Sequence, residues 1–245
     1  RRADGKAIID YAFHLILSDT SDQLIGQDLP ALIKDGYTSF KIYMTYDDLK
    51  LNDRQILDVL DVARREGAMT MIHAENSDCI GWLTAPRYHA ESRPPAVERE
   101  ATHRAAALAE ITDAPVLIVH VSGAEAIGQI QAAQARGVKV YAETCPQYLF
   151  LTADDLAVDG FEGAKCLCSP PPRDKANQEA VWTALANGTF QVFSSDHAPF
   201  RYDDAQGKKL NGTSAAFRYI PNGIPGLETR LALLFSEGVG KGRID

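Results

Sequence analysis

The sequence has 245 residues, of which 45% are hydrophobic and 24% are charged, a composition that is ordinary for a globular protein with a sizeable core. Its formal net charge of −8 argues against a nucleic-acid-binding or anionic-membrane-binding surface, because both need basic patches. We therefore expect no nucleic-acid partner and no membrane partner, and a small neutral substrate fits the composition better than a polyanion.

Strand-like and helix-like patterns alternate along the chain. Strands are predicted over residues 7–17, 39–46, 68–73, 115–120, 138–144 and 191–196, where apolar residues form short runs. Helices are predicted over 27–34, between the capping pair 52–53 and Gly67, and over 98–111, 124–136 and 178–186. This alternation indicates parallel strands joined by crossover helices, in either an open doubly wound sheet or a (β/α)8 barrel.

The barrel is the favoured architecture. An open sheet of the dinucleotide-binding type would carry a G-x-G-x-x-G turn after an early strand, and the sequence has none. We predict an α/β fold in which residues 1–245 form a single TIM-like (β/α)8 barrel domain, present as about six of the eight β/α units. The chain starts without an initiator methionine and ends in a glycine-rich segment, so we expect it to be an excerpt of a longer protein.

The cysteines indicate a reducing environment. Cys79, Cys145, Cys166 and Cys168 show no regular disulfide spacing, and a chain of this length needs no disulfides for stability. We expect free thiols and a cytoplasmic location. Cys166 and Cys168 could form half of a metal site, but no second pair exists, so they are interpreted as small core residues.

Four of the predicted strands each carry one residue that is unusual for a buried strand. Lys41 lies within the run 39–46, and His73, His120 and Asp196 each end an apolar run. In a barrel the functional residues lie at the C-terminal ends of the strands, so these four side chains are expected to meet at one point.

Imidazole and carboxylate groups are ligands for zinc and related divalent ions. A buried lysine cation is costly, but the Lys41 amine can add carbon dioxide to form a carbamate, an anion able to bridge two metal ions. Two metals that share a water would produce hydroxide at neutral pH. Asp196 could accept the proton of that water and pass it to a leaving nitrogen. The set therefore predicts two divalent metals, with zinc as the expected element.

These residues also have other interpretations. A single histidine at the end of an apolar strand is usually a hydrogen-bonded core residue, and a lysine in a barrel strand can be a Schiff-base nucleophile. The occurrence of all four residues on separate strands favours the metal site. His14, His89 and His103 are predicted to be structural, with His14 inside the first strand. His197 is expected to face away from the site, because neighbouring strand residues point in opposite directions.

Seven segments resemble the successive motifs of the dihydropyrimidinase/D-hydantoinase branch of the amidohydrolase superfamily. In chain order they are SFKIYMTY (39–46), MIHAEN (71–76), VHVS (119–122), AETC (142–145), SPPPR (169–173), SSDH (194–197) and IPNG (220–223). The resemblance runs through nearly the whole chain. It implies a barrel of the metal-dependent hydrolase type that acts on small cyclic amides, in a protein that forms a homotetramer.

The resemblance also implies individual roles. Lys41 would be the carboxylated bridging lysine, His73 and His120 would bind one metal, and Asp196 would bind the other metal and shuttle a proton. Tyr46 would hydrogen-bond the substrate carbonyl and stabilise the oxyanion. The two residues that would hold the ring amide through their backbone groups are Ser169 and Asn222.

Two features depart from the family pattern. The His-x-His pair of the first barrel strand has no counterpart in the 245 residues, and neither have the first two strands or the flanking β-sandwich. Residues 79–86 replace a longer helical connection in relatives. Both departures agree with the expectation of a partial chain.

The predicted function is a binuclear metal-dependent hydrolase that opens dihydropyrimidine or 5-substituted hydantoin rings to N-carbamoyl amino acids. One alternative is an allantoinase-like or dihydroorotase-like amidohydrolase, although no basic residue for a dihydroorotase substrate carboxylate stands out among the motifs. A second alternative is a non-catalytic, dihydropyrimidinase-related interaction protein. Retention of Lys41, His73, His120 and Asp196 argues against the second alternative.

Overall fold

The computed structural model describes residues 3–84 and 88–245, and its centre is a parallel sheet of six short strands. The strands are β1 (Leu15–Ile16), β2 (Ser39–Tyr43), β3 (Met69–His73), β4 (Val116–Ile118), β5 (Val140–Thr144) and β6 (Val192–Phe193). Each strand pairs with the next one in chain order. A doubly wound sheet reverses its strand order, whereas strands that follow one another without reversal form a barrel wall. The predicted TIM-like barrel is confirmed as an unclosed segment of six strands.

Helices connect the strands. They are α1 (Leu29–Lys34), α2 (Asp53–Glu66), α3 (Ser77–Leu83), α4 (His89–Ser92), α5 (Pro95–Thr112), α6 (Ala124–Ala135), α7 (Gln147–Phe150), α8 (Ala153–Leu156), α9 (Lys175–Ala186) and α10 (Arg230–Leu233). Two π-helical segments, Leu24–Asp28 and Leu234–Val239, and two 3-10 turns, Glu162–Cys166 and Phe217–Tyr219, complete the regular structure of the described residues. The five helices predicted from the sequence are all present.

Helix α2 shows why these boundaries follow from the sequence. The Asn52 side chain accepts a hydrogen bond from the Gln55 backbone N–H, and the Gln55 side chain accepts one from the Asn52 N–H. This reciprocal capping box satisfies two of the N–H groups that a helix start leaves unpaired. Gly67 ends the helix with φ of 80°, a left-handed conformation that costs little only for glycine.

The core lies between the sheet and the helices. Apolar strand residues such as Phe40, Ile72 and Ile118 are buried, and they pack against the apolar faces of the helices. Alanines at the buried positions of α5 and α6 let these two helices approach each other closely. A rigid, well-packed sheet results, and it fixes the positions of the residues that follow each strand.

The first predicted strand is wrong over most of its length. Only Leu15 and Ile16 of residues 7–17 pair with a neighbouring strand, through Phe40 and Lys41 of β2. Ile8 is 98% exposed, because β1 is an edge strand and no described segment covers residues 7–14. The apolar composition of residues 7–14 predicted a strand, but a strand forms only where a neighbouring strand can pair with it.

Within residues 3–84 and 88–245, no helix is long and apolar enough to cross a membrane. All four cysteines are free, as expected. In the connection 79–86, helix α3 includes residues 79–83, whereas residues 85 and 86 lie outside the described residues.

Candidate active site

The seven residues predicted to form the site all line one cavity. The cavity has a volume of about 300 Å³ and lies at the C-terminal ends of the strands. The seven residues are Lys41, Tyr46, His73, His120, Ser169, Asp196 and Asn222. Tyr43, Cys168 and Gly223 also contribute to its wall. Residues up to 181 positions apart in the chain (41 to 222) thus line one cavity.

Three of these residues have an unusual backbone conformation. Tyr46, His120 and Asp196 have φ angles of 71°, 42° and 43°, in the left-handed region that non-glycine residues rarely adopt. Each lies two or three residues beyond the end of its strand, so the predicted strands were too long at these points. Such a conformation costs on the order of 1–3 kcal/mol at each position, and it persists only where the surrounding structure holds it. Here it turns the chain so that these residues line the cavity.

The two histidines lie together, and their burial favours the neutral form of both rings. Their ring centres are 4.4 Å apart in an edge-to-face arrangement. Burial is the main cause that lowers the pKa of both rings, His120 more than His73. Nε2 of His73 donates to Glu75 at 2.7 Å, which leaves Nδ1 of His73 without a proton. The buried Nδ1 of His120 has no hydrogen-bond partner among the described residues. Neutral imidazoles with a free nitrogen are the form that binds metals.

Lys41 is the central residue of β2, and its side chain is only partly buried. Its Nζ lies 4.8 Å from the centre of the Tyr43 ring and forms no hydrogen bond or ion pair within the described part of the chain. Desolvation lowers the pKa of Lys41 to about 8, although the charges of Asp196 and Glu143 oppose the decrease. With a pKa of about 8 the amine is still mostly protonated at pH 7, but its uncharged fraction, about a tenth, is far larger than that of an exposed lysine.

Asp196 follows β6, the strand at the opposite edge of the sheet from β1, and its side chain lines the same cavity. The residue is exposed, yet desolvation still raises the pKa of its carboxyl group, and the charge of Lys41 opposes that rise. An ionised carboxylate in this position can bind a cation or accept a proton.

The side chains at the cavity are of the chemical types that bind a divalent metal. In residues 3–84 and 88–245, no three His, Cys, Asp or Glu side chains lie close enough to bind one ion. The unpartnered nitrogen of His120 and the unpaired amine of Lys41 nevertheless belong to side chains that line one cavity, together with His73 and Asp196. Two imidazoles, one carboxylate and one amine that can become a carbamate are the ligand types that zinc accepts.

Ser169 and Asn222 form the opposite wall. The Ser169 hydroxyl donates to the Asn222 side-chain oxygen at 3.4 Å, and the Gly223 N–H donates to the Leu167 carbonyl at 2.9 Å. His89 is buried, and its Nε2 donates to the Cys168 carbonyl at 2.8 Å. His89 thus has the structural role that was predicted, since it supports the segment that carries Ser169.

The other histidines do not line the cavity. His14 precedes β1, contrary to its predicted place within a strand, and its Nδ1 lies 2.6 Å from the Ser39 hydroxyl. His103 contacts Gln129 between α5 and α6. His197 is exposed, and its Nδ1 accepts hydrogen bonds from two backbone N–H groups, those of Gly226 and Leu227.

Sequence reasoning missed the buried charges that surround the site. Glu75 has no exposed surface and accepts hydrogen bonds from His73 and from Arg93, the latter at 2.6 Å. Burial by itself would raise the pKa of Glu75, but Arg93 and His73 outweigh it and hold the pKa at about 2. Glu143 accepts a hydrogen bond from the His120 backbone N–H. The sequence held one signal for Glu75, because this carboxylate comes two residues after a histidine that ends a strand.

The comparisons with known proteins give a consistent result. No family model matches the chain. The chain is 46% identical over 252 residues to a D-hydantoinase from Rhizobium radiobacter, and the match covers 99% of this chain and 54% of that protein. A dihydropyrimidinase structure from Brevibacillus agri NCHU1002 has a TM-score of 0.93 at 44% identity, covering 98% of this chain and 54% of that chain. A D-hydantoinase structure from Bacillus sp. AR9 has the same TM-score and coverage at 43% identity. The chain therefore spans about half the length of the relatives it matches.

Proposed function

We infer that this chain, which belongs to the D-hydantoinase and dihydropyrimidinase family, carries the active-site cavity of a metal-dependent cyclic amide hydrolase. The proposed reaction opens a dihydropyrimidine or 5-substituted hydantoin ring to an N-carbamoyl amino acid. The observation that carries the proposal is the single cavity in which all seven site residues meet. Because the chain covers about half of its relatives, the activity is proposed for the whole protein that contains it.

The residues that would hold two divalent ions, with zinc as the expected element, are Lys41, His73, His120 and Asp196. When bound, such ions supply a hydroxide nucleophile at neutral pH. Lys41 would act as a carbamate: its partly uncharged amine can add carbon dioxide, which converts an unpaired cation into an anion. The neutral histidines would offer ring nitrogens, and Glu75 would fix the proton of His73 on Nε2.

Residues at the cavity wall would carry out the remaining steps. Asp196 would accept the proton of the attacking water and transfer it to the leaving ring nitrogen. Tyr46 stays protonated, because burial raises the pKa of its hydroxyl group, so it can donate a hydrogen bond to the carbonyl oxygen as negative charge develops there. Ser169 and Asn222 would hold the ring amide through their backbone groups, which favours a cyclic amide over an open chain.

The relatives named above favour this reaction over an allantoinase-like or dihydroorotase-like one. A non-catalytic interaction protein would have no need for neutral histidines and an unpaired lysine at one cavity. We further propose that the whole protein is a cytoplasmic homotetramer.

The test of this function is metal content together with ring opening. We expect about two metal ions per chain in the purified whole protein, and hydrolysis of dihydrouracil and phenylhydantoin by the same samples. Removal of the metal with a chelator should abolish both hydrolyses, and added zinc should restore them. A verified whole protein with neither metal nor hydrolysis would overturn the proposal and favour the interaction protein.

Replacement of Tyr46 by phenylalanine should slow turnover and leave the metal in place. The change removes one hydrogen-bond donor to the developing oxyanion, which is worth about a hundredfold or more in kcat. Metal content measured on the same preparation should equal that of the wild type, since the hydroxyl group is not a proposed ligand. Loss of metal from the Tyr46→Phe variant would show that the proposed role is wrong.

A further inference from the structure

Lys208 is a buried cation outside the cavity. It is 2% exposed, and its Nζ donates to the carbonyl oxygens of Pro221 at 2.7 Å and Leu167 at 3.2 Å. No carboxylate within residues 3–84 and 88–245 forms an ion pair with it. Burial is the main cause that lowers its pKa, to about 8.

The two carbonyl groups belong to the two segments that form the proposed substrate wall. Leu167 lies two residues before Ser169, and Pro221 lies directly before Asn222. The Leu167 carbonyl also accepts the Gly223 N–H, so one oxygen takes donors from both Lys208 and the second segment. Lys208 therefore links the segment before Ser169 to the segment before Asn222.

The segment that carries Lys208 is itself fixed in place. The Lys208 N–H donates to the Arg201 carbonyl at 2.8 Å. A Cβ atom at Gly207 would lie 2.0 Å from the same carbonyl oxygen, so only glycine permits this close approach. The backbone of Lys208 is thus held in place while its side chain bonds to the two carbonyl groups. For this reason the lysine can hold the two segments at a defined distance from each other.

An apolar side chain could fill this volume without the cost of burying a charge. What the ammonium adds is two directed hydrogen bonds, and hydrogen bonds from a charged donor are stronger than neutral ones. We propose that Lys208 is a positioning residue that sets the spacing between Ser169 and Asn222, and thereby the affinity for the cyclic amide. This inference rests on the proposed function, because it assigns those two segments to substrate binding.

The test compares Lys208→Met with Lys209→Met in the whole protein. Methionine retains an apolar stem and removes the donor, and the neighbouring Lys209 is half-buried, with its Nζ 4.9 Å from the Tyr202 ring centre. For Lys208→Met we expect KM for dihydrouracil and phenylhydantoin to rise about tenfold while kcat changes by less than about threefold. Metal content should stay at the wild-type value, and Lys209→Met should match the wild type in all three quantities.

A purely structural lysine would give a different result. It would lower the melting temperature and the active fraction, and so the apparent kcat, but KM would not change; that outcome overturns the inference. If Lys208→Met does not yield folded protein, Lys208→Gln keeps an N–H donor on a shorter side chain and should raise KM by a smaller factor, whereas an unchanged KM again overturns it. Absence of hydrolysis in the wild type would instead refute the proposed function.

Discussion

Replacement of Lys41 by alanine is expected to remove bound metal and ring-opening activity together. The amine of Lys41 faces the cavity without a hydrogen-bond or ion-pair partner in the described part of the chain, and its carbamate would be the ligand shared by the two ions. Loss of metal removes the hydroxide nucleophile, which contributes several kcal/mol to the reaction, so kcat/KM should fall by about a thousandfold or more. Elemental analysis and hydrolysis assays on one preparation measure both effects.

The control is Lys139→Ala. Lys139 is exposed and pairs with Asp113 at 2.8 Å, and it precedes β5 at the opposite end of the strands from the cavity. Its replacement should change neither metal content nor turnover. If Lys41→Ala retained two metals, or lost activity while retaining them, the bridging role would be refuted.

Replacement of Glu75 by alanine is expected to destabilise the fold and weaken metal binding. The change would leave the Arg93 guanidinium buried without its carboxylate and the Nε2–H of His73 without an acceptor. Breaking a buried ion pair by removing one partner costs about 3–5 kcal/mol in the free energy of unfolding. Loss of the group that orients a histidine ligand weakens metal affinity by about 10–100-fold. Denaturant unfolding of the metal-free protein and zinc titration measure the two effects separately.

Glu125 offers a matched comparison. It forms an ion pair of 2.7 Å with Arg99, nearly the same length as the Glu75–Arg93 pair, but both side chains are exposed. Exposed pairs contribute about 0–1 kcal/mol, so Glu125→Ala should cost little and leave zinc affinity unchanged. Equal effects of the two substitutions would mean that burial does not determine the importance of Glu75.

The parts of the structure that follow from local patterns could be predicted. Alternating apolar runs and amphipathic helices indicated the parallel sheet, and the polar residue near the end of each run placed Lys41, His73, His120 and Asp196 at one cavity. The reason is geometric: parallel strands in sequential order bring their C-terminal ends to the same edge, so a position in the sequence becomes a position in space.

The parts that depend on distant partners could not be predicted. Glu75 and Arg93 are 18 residues apart, and neither lies in a sequence pattern that predicts a buried ion pair. Lys208 lies in a polar stretch that would ordinarily be interpreted as an exposed loop, and its burial depends on carbonyl groups 41 and 13 residues away. The prediction of the first strand was wrong for the same reason, since a strand at residues 7–14 requires a neighbouring strand that the composition does not reveal.

The left-handed backbone at Tyr46, His120 and Asp196 has a consequence for protein engineering. Glycine at any of these positions would relieve local strain, so a search for thermostable variants that scores folding alone gives no protection to the side chains that line the cavity. Screens that retain a measure of metal content or turnover would keep them. Stabilising substitutions are better placed elsewhere, for example in helices far from the strand ends, where robustness can increase without loss of chemistry.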